Sequence, residues 1–350
     1  LEKLEEEVAS FNKENTVYKK GISLMPITFG ISFTNTPMNH ARALIHIYQD
    51  GSVGVSTGAV EMGQSVNTKM LQVAQSVFGI SATKLKLETT NTTRVANTSP
   101  TAASSTADLN GKAVEMACNS LIERLTVVAT EMLSTQEKNI SFKEDAVLVD
   151  GKKSSLTWEA LIAEAMLQRV ALSENAHYAT PIIHFDKTKE KGHPFAYHVY
   201  GTAITTTTVD CLRGTYEIDA VKIVHDFGKS MNIGIDLGQI EGALAQGIGW
   251  MTMEEIAYNK DGRLLSNALS TYKVPDIFSA PKTVETIPVE TQGNDMAIQK
   301  SKAVGEPPLM YGIGVYFAIQ QAVKEFNPNY KLKFHSPFTP EKVLMGLYEK

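Results

Sequence analysis

Apolar positions first recur at helical spacing: Leu1, Leu4, Val8 and Phe11 fall on one face of LEKLEEEVASFNKEN. Residues 19–34, KKGISLMPITFGISFT, predict extended structure carrying Phe29, Phe33 and Thr34. In RALIHIYQDGSVGVSTG the apolar residues alternate around Asp50-Gly51, which predicts a hairpin turning at that pair. The period then changes. EMGQSVNTKMLQVAQSVFG puts Val66, Met70, Val73 and Val77 on one helical face and closes on Gly79 as a C-cap. Next, LKLETTNTTRVANTSPTAASSTADLNG (85–111) begins as a strand and continues as a tract of small polar residues. It leads into a long helix striped by Val114, Cys118, Leu121 and Leu125. Ser99-Pro100 predicts that helix's N-cap and first residue. By composition the tract is a solvated loop, yet it holds no Lys or Glu and leaves room for a ligand to approach the backbone.

Residues 134–195 read as surface, with a seam between two halves near 180–195. His177, His184, His193 and His198 match no helical metal-ligand spacing and predict ordinary surface or core roles. From AYHVYGTAITTTTVDCLRGTYEIDAVKIVHDFG onward, two β-rich segments precede NIGIDLGQIEGALAQGIGW, where Gly238-Gln239 is read as opening a helix. Gly63-Gln64 does the same in the first half, a weak internal echo. Two such amides beside helix-start N–H groups make either a cradle for an anion or carbonyl, or simple caps. KVPDIFSAPKTVETIPVET predicts extended structure, and a last helix packs through Leu309, Val315, Ile319 and Ala322. The pattern predicts an α+β protein of two related subdomains, each a mixed sheet packed with helices. A helical lead-in occupies 1–20, the first subdomain 21–185 and the second 186–350.

The 350 residues are 43% hydrophobic and 20% charged, ordinary for a folded domain. A net charge of −5 argues against nucleic-acid or anionic-membrane partners. No apolar run reaches the roughly 20 residues that cross a bilayer. The charged opening reads as a helix rather than a secretion signal, and its missing initiator Met reads as a fragment or trimmed subunit. Two cysteines, Cys118 and Cys211, predict a reducing compartment, by default the cytoplasm. They are too few for a cysteine-based iron–sulfur or zinc site in this chain.

GxSxG, GxxxxGK[ST] and post-strand GxGxxG motifs are absent, so a serine hydrolase and a phosphate-loop reading lack their turns. The best catalytic candidate is Glu306, within VGEPPLMYGIG. Pro307 fixes φ and stiffens the turn. A helix N-terminus there favours the charged carboxylate by roughly 0.3–1 kcal/mol, while apolar burial raises its pKa. Glu306 is then either a cap or a general base. Glutamate is not a preferred N-cap, which weakens the first choice.

Five segments occur in one order: FGISFT (29–34), VEMGQSVNTKMLQVAQ (60–75), NTSPTAASSTADLNG (97–111), IDLGQIEGALAQGIG (235–249) and SKAVGEPPL (301–309). In that order they resemble the molybdenum hydroxylases, within them the xanthine dehydrogenase family, and specifically the C-terminal half of its molybdopterin-binding region. The resemblance runs from about residue 10 to the end. It implies the aldehyde oxidase/xanthine dehydrogenase type of molybdopterin-binding fold, and purine oxidation of hypoxanthine and xanthine to urate. Glu306 would be the base that deprotonates a hydroxyl on molybdenum, and Gln64 would contact the apical oxo ligand. Phe33 would stack on the purine and Thr34 hydrogen-bond to it, with Phe29, Ala102 and Ala103 shaping the pocket. Met62, Gly63, the Ser104, Ser105 and Thr106 backbone and Gln239 would hold the pterin and its phosphate. The pterin dithiolene would ligate the metal, so no protein ligand is implied.

Ala59-Val60 and Ser65 depart from the family's usual glycines and threonine around the first glutamine. The resemblance also implies that the 2Fe-2S and FAD centres, and the first half of the molybdenum region, lie on other domains or subunits of an oligomer. Two rivals remain: an aldehyde or other N-heterocycle hydroxylase, and a catalytically silent cofactor-binding or structural subunit.

Overall fold

The computed structural model describes every residue except 89, 290 and 350. The opening amphipathic stretch is α1 (Glu2–Glu14), which lays Val8 on the first long strand, β1 (Tyr18–Ile31). The predicted hairpin forms between β2 (His40–Ile47) and β3 (Val53–Thr57). Asp50 closes its turn by accepting the Ser52 N–H at 2.9 Å and hydroxyl at 2.6 Å, and Gly51 takes φ +80°. The helix α2 (Val66–Phe78) ends at Gly79, where φ is +64°. A Cβ there would lie 2.2 Å from the Phe142 carbonyl oxygen, so the cap also permits a close backbone approach.

After β4 (Leu85–Leu87) the polar tract runs further than expected, and α3 (Thr106–Leu133) begins seven residues beyond Ser99. Ser99-Pro100 is therefore not the helix start. The Ser99 hydroxyl instead donates to the Met38 carbonyl, and Ser105 is the N-cap. A meander of β5 (Ile140–Lys143), β6 (Ala146–Val149) and β7 (Lys152–Thr157) leads to α4 (Trp158–Leu167). The strand β8 (Ser173–Ala179) completes a four-stranded mixed sheet in the order β4-β3-β2-β8. Ile45, Val55, Met70, Phe78, Leu121, Leu125 and Trp158 form its core with α2, α3 and α4.

A small hairpin, β9 (His184–Asp186) with β10 (Lys191–His193), precedes β11 (Tyr197–Asp210) and β12 (Thr215–His225). Then come α5 (Ile233–Thr252), β13 (Thr283–Pro288), α6 (Ile313–Phe326) and α7 (Pro340–Tyr348). This second four-stranded sheet has the order β1-β11-β12-β13, with β13 parallel to β12. Residues 21–31, grouped by sequence with the first half, hydrogen-bond here: β1 runs antiparallel to β11 from Tyr18↔Asp210 to Ile31↔Tyr197. The architecture is α+β.

Two departures at α5 and α6 bear on the site. The helix α5 starts at Ile233, capped by Asn232, so Gln239 lies in its second turn rather than opening it. Leu309 lies in a 3-10 turn, Pro307–Gly312, just before α6. That turn sits on α5 through two glycines. A Cβ on Gly312 would meet the Gly247 carbonyl carbon at 2.3 Å, and one on Gly247 would meet the Leu309 carbonyl oxygen at 2.1 Å. Helix and turn thus touch backbone to backbone, and the turn after Glu306 rests on a rigid support.

Candidate active site

The polar tract, the loop before α2 and the segment before Pro307 converge on a cavity of about 340 Å³. Met62, Gln64, Ala102, Ala103, Ser104, Thr106, Gln239 and Glu306 all line it. Sequence positions more than two hundred apart therefore share one wall. Glu306 stands at the N-terminus of the 3-10 turn, but its side chain makes no capping bond. Its carboxylate Oε2 instead accepts from the Ser104 hydroxyl at 2.7 Å, and its own N–H donates to the same Ser104 oxygen at 2.8 Å. The simple cap reading fails on that geometry. Pro307 and Pro308 are buried behind the carboxylate, so the turn aims an exposed Glu306 at the cavity.

Ala103 and Ser104 both take left-handed φ, +54° and +53°, just before α3. Two such non-glycine residues store strain, and consecutive N–H groups in this conformation form an anion-binding nest. The nest joins the free N–H groups of a 28-residue helix. Ser105 is buried as the N-cap. Gly63 has φ +96° and open space where a Cβ would stand, but it does not line the cavity.

The Gln64 amide is turned into its own loop: Oε1 accepts the Met62 N–H at 2.6 Å and Nε2 donates to the Val60 carbonyl at 2.8 Å. Glu61 holds that loop from the other side, taking N–H bonds from Gly63, Ser65 and Asn67. Desolvation opposes its charge, yet those N–H groups together hold its carboxyl below the usual range.

Three residues named for the substrate lie off this cavity. Phe29 packs beside Ile31, Tyr197 and Val199. Phe33 is fixed through its backbone, with N–H to Asn39 Oδ1 at 2.8 Å and carbonyl to Asn39 Nδ2 at 2.9 Å. Thr34, next to it, is exposed.

Sequence reasoning missed the charges around the cavity. Lys69 lines it and pairs with the fully buried Asp236 at 2.7 Å. Lys302 lines it too, pairing with Asp226 at 2.5 Å. Burial works against the Asp226 charge, but Lys302, the Gly228 N–H and the Thr291 hydroxyl hold its carboxyl below the usual range. Asp108, also on the cavity wall, is buried, and desolvation pushes its carboxyl up to about 6 against its hydrogen bonds.

His225, fully buried, bonds through Nδ1 to the Tyr311 hydroxyl at 2.7 Å and so supports the turn after Glu306. Burial, helped by Lys302, pushes its pKa from 6.5 down to about 4, against the charges of Asp226 and Asp236. The folded state therefore resists a proton that the unfolded chain accepts. Stability from this group is complete above pH 6.5 and falls as pH drops through 4. The advantage of wild type over His225→Gln is expected to shrink by about 3 kcal/mol across that window, read by urea unfolding at pH 7 and pH 4. Asp108 titrates with the opposite sign, but in both proteins, and cancels. A gap independent of pH would remove His225 from the acid response.

Among the described residues, no group of three or more His, Cys, Asp or Glu side chains is placed to hold a metal ion. His177 faces His40 at 3.3 Å, and His184 contacts His193 edge to face. Both cysteines are buried and free, and burial raises both thiol pKa values, that of Cys211 to about 11. No described helix is long and apolar enough to cross a membrane.

A left-handed turn at a helix start, a largely apolar cavity and a tethered carboxylate are what the fold brings together here. Residues 1–281 match the family model of the molybdopterin cofactor-binding domain, and the chain belongs to that family. It is 40% identical over 344 residues to xanthine dehydrogenase/oxidase of Felis catus, covering 96% of this chain and 24% of that protein. With xanthine dehydrogenase 1 of Arabidopsis thaliana it shares 37% over 359 residues, covering 99% and 25%. The chain thus spans about a quarter of these relatives' length. Quinoline 2-oxidoreductase from Pseudomonas putida 86 superposes with a TM-score of 0.86 at 20% identity, over all of this chain and 44% of that one. Aldehyde oxidoreductase from Desulfovibrio gigas gives 0.76 at 21%, over 99% and 35%.

The residues fit a molybdopterin. The left-handed turn at 103–104 and the unpaired N–H groups that start α3 suit a phosphate, Gln239 and Met62 offer an amide and an apolar contact, and a dithiolene asks for no protein ligand.

Proposed function

We propose that this chain is the catalytic half of the molybdenum-binding region of a hydroxylase that oxidises purines, hypoxanthine and xanthine to urate. The observation that carries the reading is the Glu306 carboxylate on the cavity wall, held by Ser104 in front and by two prolines behind. Bound molybdopterin would supply the oxygen nucleophile and the electron sink. Glu306 would accept the proton of that nucleophile, the work of a positioned carboxylate. Met62, the 104–106 backbone and Gln239 would hold the pterin and its phosphate, with Gly63 turning the loop between Met62 and Gln64, and Gln64 would stand beside the metal from that loop. Ala102 and Ala103 keep the wall beside Glu306 thin. Phe33 and Thr34, in the loop that Asn39 fixes, and Phe29, near the end of β1, would orient the purine from outside the cavity this chain forms. The purine class rests on the relatives named xanthine dehydrogenase. We assign the iron–sulfur and FAD centres, and the remaining substrate-orienting half, to other domains of an oligomeric assembly. Two buried free thiols fit work in the cytoplasm.

In the assembled holoenzyme, kcat/KM for hypoxanthine is expected to exceed that for an aromatic aldehyde. A preference for the aldehyde would overturn the purine assignment and leave the hydroxylase reading standing.

A further inference from the structure

Asp108 is a buried acid that the reaction proposed above leaves without a task. It sits in the first turn of α3, four residues after Ser104. Its Oδ1 accepts the backbone N–H of Ile298 at 2.9 Å, and its Oδ2 accepts the Tyr197 hydroxyl at 2.6 Å. The Tyr197 oxygen in turn accepts the backbone N–H of Ala303 at 3.1 Å. One carboxylate thus pins both ends of segment 298–303, at one end directly and at the other through a phenol. Three residues later comes Glu306, whose N–H and carboxylate both bond Ser104. The circuit is closed: the turn that leads into α3 holds Glu306 in front through Ser104, and α3 holds it from behind through Asp108, Tyr197 and Ala303.

The pinned segment is itself strained. Gln299 and Lys300, between the two pins, take left-handed φ of +48° and +65°. Non-glycine residues persist there where their surroundings over-determine the backbone. Without the Tyr197 pin the segment keeps its backbone bonds to Phe227 and Lys229 and the Lys302–Asp226 pair, but the Ala303 end, from which Glu306 follows, loses its hold. Burying a carboxylate is also unfavourable unless its hydrogen bonds are met, and both Asp108 oxygens are met within this circuit.

We propose that Asp108 and Tyr197 are positioning residues for Glu306, setting its carboxylate through segment 298–303. The inference rests on the reading of Glu306 as the base. A positioning error of about 1 Å far from the chemistry can lower turnover on the order of a hundredfold.

The test uses the assembled holoenzyme. Tyr197→Phe is expected to lower kcat about ten- to a hundredfold with KM within about threefold, at unchanged molybdenum content. Hydrogen exchange of residues 299–306 is expected to accelerate. Asp108→Ala should behave alike. Asp108→Asn should recover kcat only in part, falling between Asp108→Ala and wild type, since its amide oxygen still accepts from Ile298 while its NH₂ cannot accept the Tyr197 hydroxyl. Unchanged kcat per molybdenum in Tyr197→Phe, or unchanged exchange at 299–306, overturns the inference. An active Glu306→Gln enzyme, assayed in parallel, would defeat the base reading instead. The tether would then be judged by the exchange measurement alone.

Discussion

Glu306→Gln in the molybdenum-loaded holoenzyme is expected to lower kcat by about 10²–10⁴-fold, with KM nearly unchanged. The amide matches the carboxylate in shape, and its oxygen still accepts from Ser104, as Glu306 does at 2.7 Å. The backbone N–H bond to Ser104 is untouched. Geometry and cofactor cradle therefore survive, and the lost property is the capacity to take a proton. Molybdenum content and melting temperature should match wild type, because the side chain is exposed and makes no capping bond. Single-turnover reduction by substrate reads the step directly. Turnover within about tenfold of wild type would take Glu306 out of the mechanism and favour a subunit that only holds the cofactor.

What the sequence made legible was local. The period change at Gln64–Val66 and the glycine at 79 placed α2, because an apolar stripe and a left-handed cap are written in neighbouring residues. The Asp50-Gly51 turn was legible for the same reason. The start of α3 was misread. Ser99-Pro100 carries a good cap signal, but the tract takes its turn at Ala103 and Ser104, whose left-handed φ no glycine announces. The partnership of β1 with β11 leaves no local trace, since register between strands whose partners run from Tyr18↔Asp210 to Ile31↔Tyr197 is set by burial and packing. Glu306 shows the limit most clearly. Its prolines were legible, but its tether to Ser104 joins positions 202 residues apart. Asp108, Lys69 and Tyr197 were invisible because each is one polar or aromatic residue among several on its element, with no local pattern to mark it. Asp108 and Lys69 find Ile298 and Asp236 in the other half of the chain, and Tyr197 meets Ala303 106 residues further on.

Trp158→Ala is expected to show the reverse separation, a large loss of stability with little change in chemistry. Trp158 is 1% exposed and meets the Phe78 and Phe142 rings at centroid distances of 5.6 and 6.4 Å. Its Nε1 donates to the Gly51 carbonyl at 2.7 Å, so it also ties α4 to the β2–β3 turn. Truncation removes the largest side chain of the first core, opens a cavity and leaves that carbonyl without its donor. Such changes typically cost about 3–5 kcal/mol. For a unit of this size the melting temperature should fall on the order of 10 °C. The damage is remote from the site. Phe78 ends α2, whose first residue, Val66, lies roughly 18 Å away at about 1.5 Å per residue. The cavity opens at that first end, where Gln64 and Val66 stand on its wall. Turnover per molybdenum in the folded fraction should therefore stay within about threefold of wild type. Thermal unfolding and metal-normalised kcat, measured on one preparation, decide the matter. A melting point within about 2 °C of wild type would mean the core repacks around the void, and a collapsed kcat would mean that α2 transmits strain along its length into the base's pocket.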